Sequence, residues 1–310
     1  MAISKKGIFF TFAAIALALI IILSFKAYKT YEMKEKIDIV GVRIDTMNNF
    51  IKDIEQDLEK GLYIASFRAF AGMGEYIASN GTYIADIDEG FNELILEGTL
   101  NNKEISLMQN STFTDWVEKI EAEADKIDII VNFTIFDVSI EQNDPWSVSV
   151  SSDIGIDVED KKNTSSWNRN KNIVTKISIG DFEDPLYIKN SHGRVTNAIV
   201  RSPITDFVQG EDISNLLLHL NNSYYIESST APNFLMRLQG DLSNSSTGIE
   251  SLVNLGEFQE QGLAIKDRSA VDYIYFGTQS TTDYGIEGAP DWFKLDSNHL
   301  EIYEVQNLTI

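Results

Sequence analysis

Three histidines, His192, His219 and His299, are the only imidazoles in the chain. Zinc ligation and proton transfer near neutral pH both draw on that side chain. Here the three stand far apart, without a second ligand at metal spacing, and no H-E-x-x-H pair occurs. A histidine within a run such as Leu216-Leu217-Leu218-His219-Leu220 reads as a packed residue. Nucleophilic chemistry fares no better. Gly248-Ile249-Glu250-Ser251-Leu252 lacks the closing glycine of a nucleophile elbow, and bulky Ile249 follows the first glycine. Gly72-Met73-Gly74 is too short to cradle a phosphate and does not follow a strand. Cysteine is absent, which excludes disulfides, thiolate zinc sites and thiol catalysis.

Carboxylates are the remaining reactive groups. Asp86-Ile87-Asp88-Glu89-Gly90 sets alternate oxygens on one side of a turn, and Asp153, Asp157, Glu159 and Asp160 gather near an expected hairpin. Calcium is the metal such oxygens would attract, but the first group lacks the third acidic position that a helix–loop–helix site needs before its glycine. Both groups read as solvated loop charges. The expectation is therefore a non-enzymatic chain with no cofactor and no catalytic residue, calcium being the one weak alternative.

Charge narrows the partners. Against 25 basic residues stand 47 acidic ones, a formal net charge of -22 over 310 residues. Such a field repels phosphate backbones, and no basic patch offsets it, so nucleic acid is not an expected partner. With 43% apolar residues and abundant Phe and Tyr, the chain can bury a core without disulfides. An outward-facing domain without cysteine points towards a prokaryote.

The elements that would position any function begin at the N-terminus. After Lys5-Lys6-Gly7, residues Ile8 to Phe25 carry no charge, and only Thr11 and Ser24 are polar. As a helix these residues span about 27 Å, close to a bilayer's hydrocarbon thickness. A cleavable secretory signal has a shorter apolar core and a small-x-small end, whereas this run ends Ser24-Phe25-Lys26-Ala27, so an uncleaved signal anchor in the cell membrane is the better reading. Lysines flank both ends, so orientation rests on the large acidic remainder, which is expected outside the cell.

Past Lys36 the apolar residues Ile37, Val40, Ile44, Met47, Ile51, Ile54 and Leu58 recur in steps of three and four, a heptad seam. Gly41 is its only glycine. One helix from Ile8 to about Lys60 is predicted. Its stripe serves either a dimeric stalk or a spine packed on its own globular domain.

A basic leader ending Lys5-Lys6-Gly7, an immediate apolar helix and a striped continuation together resemble archaeal type IV pilins and related pilin-like surface proteins. The resemblance covers roughly the first 60 residues. It implies that a dedicated peptidase cuts between Gly7 and Ile8, with Lys6, Gly7 and Ile8 as the processing residues. It also implies that the freed helix self-associates into a pilus-like filament at the cell surface. Phe12 stands where many members carry Glu. Asp144-Pro145-Trp146 and Glu183-Asp184-Pro185-Leu186-Tyr187 resemble segments of uncharacterised archaeal pilin-like proteins. The alternative is a single-pass envelope binding or scaffold protein that stays in the membrane, with lipid around its helix.

The remainder reads as α+β: a helical segment, then an antiparallel β-rich ectodomain. Helical spacing is expected from Gly61 to Asp128, broken by a turn at Asn80-Gly81. Strand alternation is expected in residues 129–140, 146–151, 154–158 and 172–182, with 159–171 as a hairpin loop and the spine helix covering one sheet face. Further on, residues 213–220 read as a helix, 222–229 as a strand, 233–242 and 248–255 as helix and loop, and 271–277 as a strand. The expected divisions are a leader at 1–7, the transmembrane and spine helix at 8–60, a helix-plus-sheet domain at 61–201 and an α+β lobe at 202–310. Asn80, Asn110, Asn132, Asn163, Asn221, Asn244 and Asn307 open Asn-x-Ser/Thr acceptors, so a glycoprotein surface is one reading. Free use of Asn and Ser is the other.

Overall fold

A computed structural model describes residues 5–162 and 165–310. Helix α1 runs unbroken from Lys5 to Asn80, about 110 Å of chain at 1.5 Å per residue. Leu, Ile and Ala dominate its first third, and no proline interrupts it. The helix does not stop near Lys60, where the change of texture predicts its end. Leu62, Ala65, Ala69, Phe70, Met73 and Ile77 carry the buried stripe onward, and packing sustains the helix as long as that stripe lasts. Gly81 ends it at a φ of +65°, a conformation that costs a side-chain-bearing residue about 1 kcal/mol. Its amide closes the last turn on the Ile77 carbonyl at 2.9 Å.

Helix α2 (Ile87–Glu97) follows, with Asp86 as its N-cap. A minimal hairpin, β1 (Thr99–Leu100) and β2 (Lys103–Glu104), and a 3-10 turn at Ser106–Met108 lead to α3 (Phe113–Asp125). The start of α3 is held by a reciprocal capping box between Thr112 and Asp115. Strands β3 (Ile129–Asp144), β4 (Ser147–Asp160) and β5 (Ser166–Ser178) form one antiparallel sheet in that order, its register shifting near Ile135/Asp137 and Glu141/Asp144. Along β4 the residues Val148, Val150, Ile154, Ile156 and Val158 are buried, while Asp153, Asp157 and Glu159 face outward. This is the period-two pattern of a sheet wetted on one face. The covered face shares a core with Met47, Ile51, Ile54 and Leu58 of α1.

Most of the segment 159–171, expected as a hairpin loop, is strand, with a turn at 161–162. β4 runs to Asp160 and β5 opens at Ser166, where Trp167 pairs with Val158 and Arg169 with Ile156. Its polar residues misled the pattern because β5 is an edge strand with mostly exposed side chains. Charge docks it as well: Glu55 of α1 takes Arg169 at 2.6 Å and Lys171 at 2.9 Å.

The C-terminal third is built of short elements: α4 (Pro185–Ser191), α5 (Ser214–Asn221), β6 (Tyr225–Glu227), α6 (Phe234–Gln239), β7 (Ile249–Ser251), α7 (Leu255–Glu260), α8 (Asp272–Phe276), β8 (Asp283–Gly285) and β9 (Lys294–Asp296). β6 pairs with β7 and β8 with β9, both antiparallel. Residues 271–277, predicted as a strand, form α8. Tyr273, Ile274 and Tyr275 are all buried there, so the aromatic run that mimics a strand is packed all round a single helical turn. Within 248–255, read as loop, Ile249–Ser251 instead form the strand β7. The chain is thus α+β, with a long apolar N-terminal helix and small antiparallel sheets. One core draws on α1, α2, α3 and the sheet and reaches Phe182, Phe234 and Ile249, while a second joins Leu216, Val271, Phe293 and Tyr303.

Candidate functional site

Two features stand apart from ordinary packing: the uncovered half of α1 and a polar network sealed inside the C-terminal third. Residues 5–42 of α1 project for about 55 Å beyond the folded body. Among the described residues Met47 is the first buried one along the helix. Between Phe10 and Phe25 every large apolar side chain described is about half or more exposed, from Ile21 at 46% to Phe12 at 72%. Burial of one such side chain is worth about 1.5–3 kcal/mol, so together they represent on the order of 20 kcal/mol, more than a typical domain's whole stability. This helix is long and apolar enough to cross a membrane.

The heptad seam divides where the helix meets the body. Ile37, Val40 and Ile44 are exposed, whereas Met47, Ile51, Ile54 and Leu58 are buried against the sheet. The lower seam therefore serves the spine role, and Ile37, Val40 and Ile44 stay uncovered. Arg43 marks the boundary. Its guanidinium reaches Asp160 at 2.7 Å and the carbonyls of Ile127 and Asp128 at 3.1 and 2.8 Å, tying the helix to the ends of α3 and β4. Lys6, Gly7 and Ile8 continue the helical backbone, while their side chains lie outside the described part.

The network centres on Arg237, which has no solvent exposure. It donates to Asp184 at 2.6 Å, to Asp272 at 2.9 Å and to the Ile249 carbonyl. Asp184 also caps α4 through the Leu186 amide at 2.8 Å and accepts the Tyr225 hydroxyl at 2.7 Å. Asp272 accepts the Ser251 hydroxyl at 2.8 Å, and Tyr187 meets that hydroxyl at 2.9 Å. Burial pushes the Asp272 carboxyl up, against the pull of Arg237. Four elements separated in sequence are thereby pinned to one guanidinium.

A second cluster adjoins it through β7. His299 lies 2.7 Å from Asp296 and 3.4 Å from Glu250. Tyr303 donates to Glu250 at 3.0 Å and Ser269 to Asp296 at 2.8 Å. Burial alone would lower the His299 pKa, but the two carboxylates outweigh it and hold the ring up at about 10. His219 is the opposite case. Burial presses it down to about 4, with Nδ1 on the Ser202 hydroxyl at 3.0 Å and Nε2 without a hydrogen-bond partner. His192 is an exposed left-handed cap of α4, at a φ of +56°. The histidines are thus a surface cap, a neutral core residue and a buried cation. Arg237, Asp184, Asp272, Glu250 and Asp296 escaped the sequence reading, because residues spread from 184 to 299 carry no spacing signal.

Asp86 spends an oxygen on the amides of Asp88 and Glu89, both at 3.0 Å, as the α2 N-cap. Asp153 accepts the Asn172 amide at 2.8 Å, Asp157 accepts Asn168, and Asp160 pairs with Arg43. These acids line a strand and its pairing partners, not a loop. Among the described residues no group of three or more His, Asp or Glu side chains stands close enough to hold a metal ion. Of the glycosylation acceptors, Asn110, Asn132, Asn221, Asn244 and Asn307 are exposed. Asn80 is half-buried with its amide on the Tyr76 carbonyl at 3.1 Å, and Asn163 lies outside the described residues. No protein family, curated protein or solved structure matches this chain.

Proposed function

We propose that this protein is a membrane-anchored extracellular surface protein resembling an archaeal type IV pilin, which assembles through its N-terminal helix into a pilus-like filament. The observation that carries the reading is the uncovered half of α1. A helix with ten large apolar side chains exposed between Phe10 and Phe25 needs a lipid or protein environment. Its continuous hydrogen-bonded backbone lets it occupy either one. The Lys5-Lys6-Gly7 leader, immediately before that surface, supports removal of the leader and transfer from lipid to neighbouring helices. In such an assembly Ile37, Val40 and Ile44 extend the helix–helix contact beyond the apolar span, and exposed Asn110, Asn132, Asn221, Asn244 and Asn307 are accessible to glycosylation.

Mass spectrometry of the N-terminus from native membranes tests the reading, together with electron microscopy of surface filaments. A mature chain beginning at Ile8 and visible filaments are the expected results, and an intact Met1 in the assembled protein would refute it. A second reading is favoured by Phe12, an apolar residue where many pilins carry Glu. In it the chain remains a single-pass envelope binding or scaffold protein, its helix permanently surrounded by lipid. That reading expects an uncleaved leader and no filament.

A further inference from the structure

A groove of about 410 Å3 lies where the docked half of α1 meets residues 181–183, α4 and α6. Its floor is aromatic. Phe182 stacks on Phe234 with ring centres 5.7 Å apart and lies 5.0 Å from Phe67, which is itself exposed. Glu75, Asp181 and Glu183 line the same groove, all exposed, and no Lys, Arg or His lines it. Among the described residues the one side-chain hydrogen bond to Glu75 comes from the Ser106 hydroxyl, at 3.3 Å, and no cation pairs with any of the three carboxylates. The space is open: a Cβ added at Gly74, in its α1 wall, would meet no atom within 4 Å.

Aromatic faces are electron-rich, and carboxylates beside them add a fixed negative field over a surface of low polarity. An anion is repelled from such a site. A neutral apolar molecule gains the floor but covers carboxylates without satisfying them. A cation on an apolar body uses both. The volume lies within the range of about 300–1,000 Å3 typical of small-molecule sites. We propose that this groove binds a small organic ammonium ion, its charge beside Glu75, Asp181 and Glu183 and its apolar body over Phe67 and Phe182. The inference stands independently of filament assembly.

The test is calorimetric titration of benzyltrimethylammonium into the full-length protein in phospholipid nanodiscs, with empty nanodiscs subtracted and benzyl alcohol as the uncharged counterpart. Two variants accompany it. Asp181→Asn combined with Glu183→Gln removes charge and keeps shape, since Asn tolerates the φ of +70° at residue 181. Gly74→Phe fills the groove from an unobstructed helical position. The expected result is saturable one-to-one binding that weakens at least tenfold in the charge variant, disappears in Gly74→Phe and declines with added salt. Absence of saturable binding would overturn the proposal. So would equal affinity for benzyl alcohol, indifference to both variants, or binding of a lysine-bearing peptide in place of the free ammonium ion.

Discussion

Alkaline pH should loosen this protein through one residue, His299. In the folded chain its ring sits 2.7 Å from Asp296 and 3.4 Å from Glu250, with a pKa near 10, against an ordinary value of 6.5 once the chain unfolds. A folded pKa above the unfolded one means that the native state holds its proton longer. The stabilisation is therefore complete below pH 6.5 and is lost as pH rises towards 10. At about 1.4 kcal/mol per decade of proton affinity the full effect is about 5 kcal/mol, of which about 2.5 kcal/mol vanishes between pH 7 and pH 9. That window avoids His219, which titrates below it, and the buried tyrosines Tyr187, Tyr225 and Tyr303, all raised above their ordinary value. The assay is urea unfolding of the full chain in nonionic detergent, followed by tryptophan fluorescence at both pH values. His299→Gln removes the titration. It should cost about 3–5 kcal/mol at pH 7, since Asp296 and Glu250 lose their cation, and should flatten the pH dependence. A wild-type loss below about 0.5 kcal/mol, or an unchanged slope in His299→Gln, refutes the argument.

The other clusters give further expectations. His219 works in the reverse sense: its folded pKa lies below the unfolded one, so stability should rise as pH climbs from about 4 to 6.5, and NMR titration of the ring should show it neutral at pH 5.5. Arg237→Met strands Asp184 and Asp272 and should cost about 3–5 kcal/mol in urea unfolding at pH 7. A cost under about 1 kcal/mol would mean that the two carboxylates find other partners. Along α1, Leu58→Ala should cost about 2–5 kcal/mol, whereas Ile37→Ala should leave the body's stability within about 0.5 kcal/mol. Analytical ultracentrifugation in detergent should show weaker self-association for Ile37→Ala alone.

How far the fold is legible in the sequence depends on how far the signal is local. The apolar run from Ile8 to Phe25 and the seam from Ile37 to Leu58 announce a helix because each residue speaks through its neighbours three and four places away. The strands around Val148 and Ile154 are legible for the same reason, at period two. Only half of β5 is legible, because the residues from Ser166 to Lys171 serve solvent and Glu55, not a core. α8 is not legible, because a five-residue helix is too short to display a period. The Arg237 cluster was invisible, since Asp184, Arg237 and Asp272 meet only after the third dimension exists. The division of the seam at Met47 was equally hidden: Ile44 and Met47 look alike in sequence, and only the height at which the body begins tells them apart.

The absence of any break in α1 has a mechanical consequence. The apolar N-terminal half and the body share one ladder of backbone hydrogen bonds, so a pull on the body reaches the N-terminal half along the helix axis, with no slack linker to straighten first. The Arg43–Asp160 contact and the buried stripe beginning at Met47 are then loaded in shear, many contacts at once, a geometry that resists force better than peeling them in turn. Gly41 lies just outside that grip, with nothing around it. It is the most compliant residue between the two halves, where sideways load would bend the rod while the body stays folded.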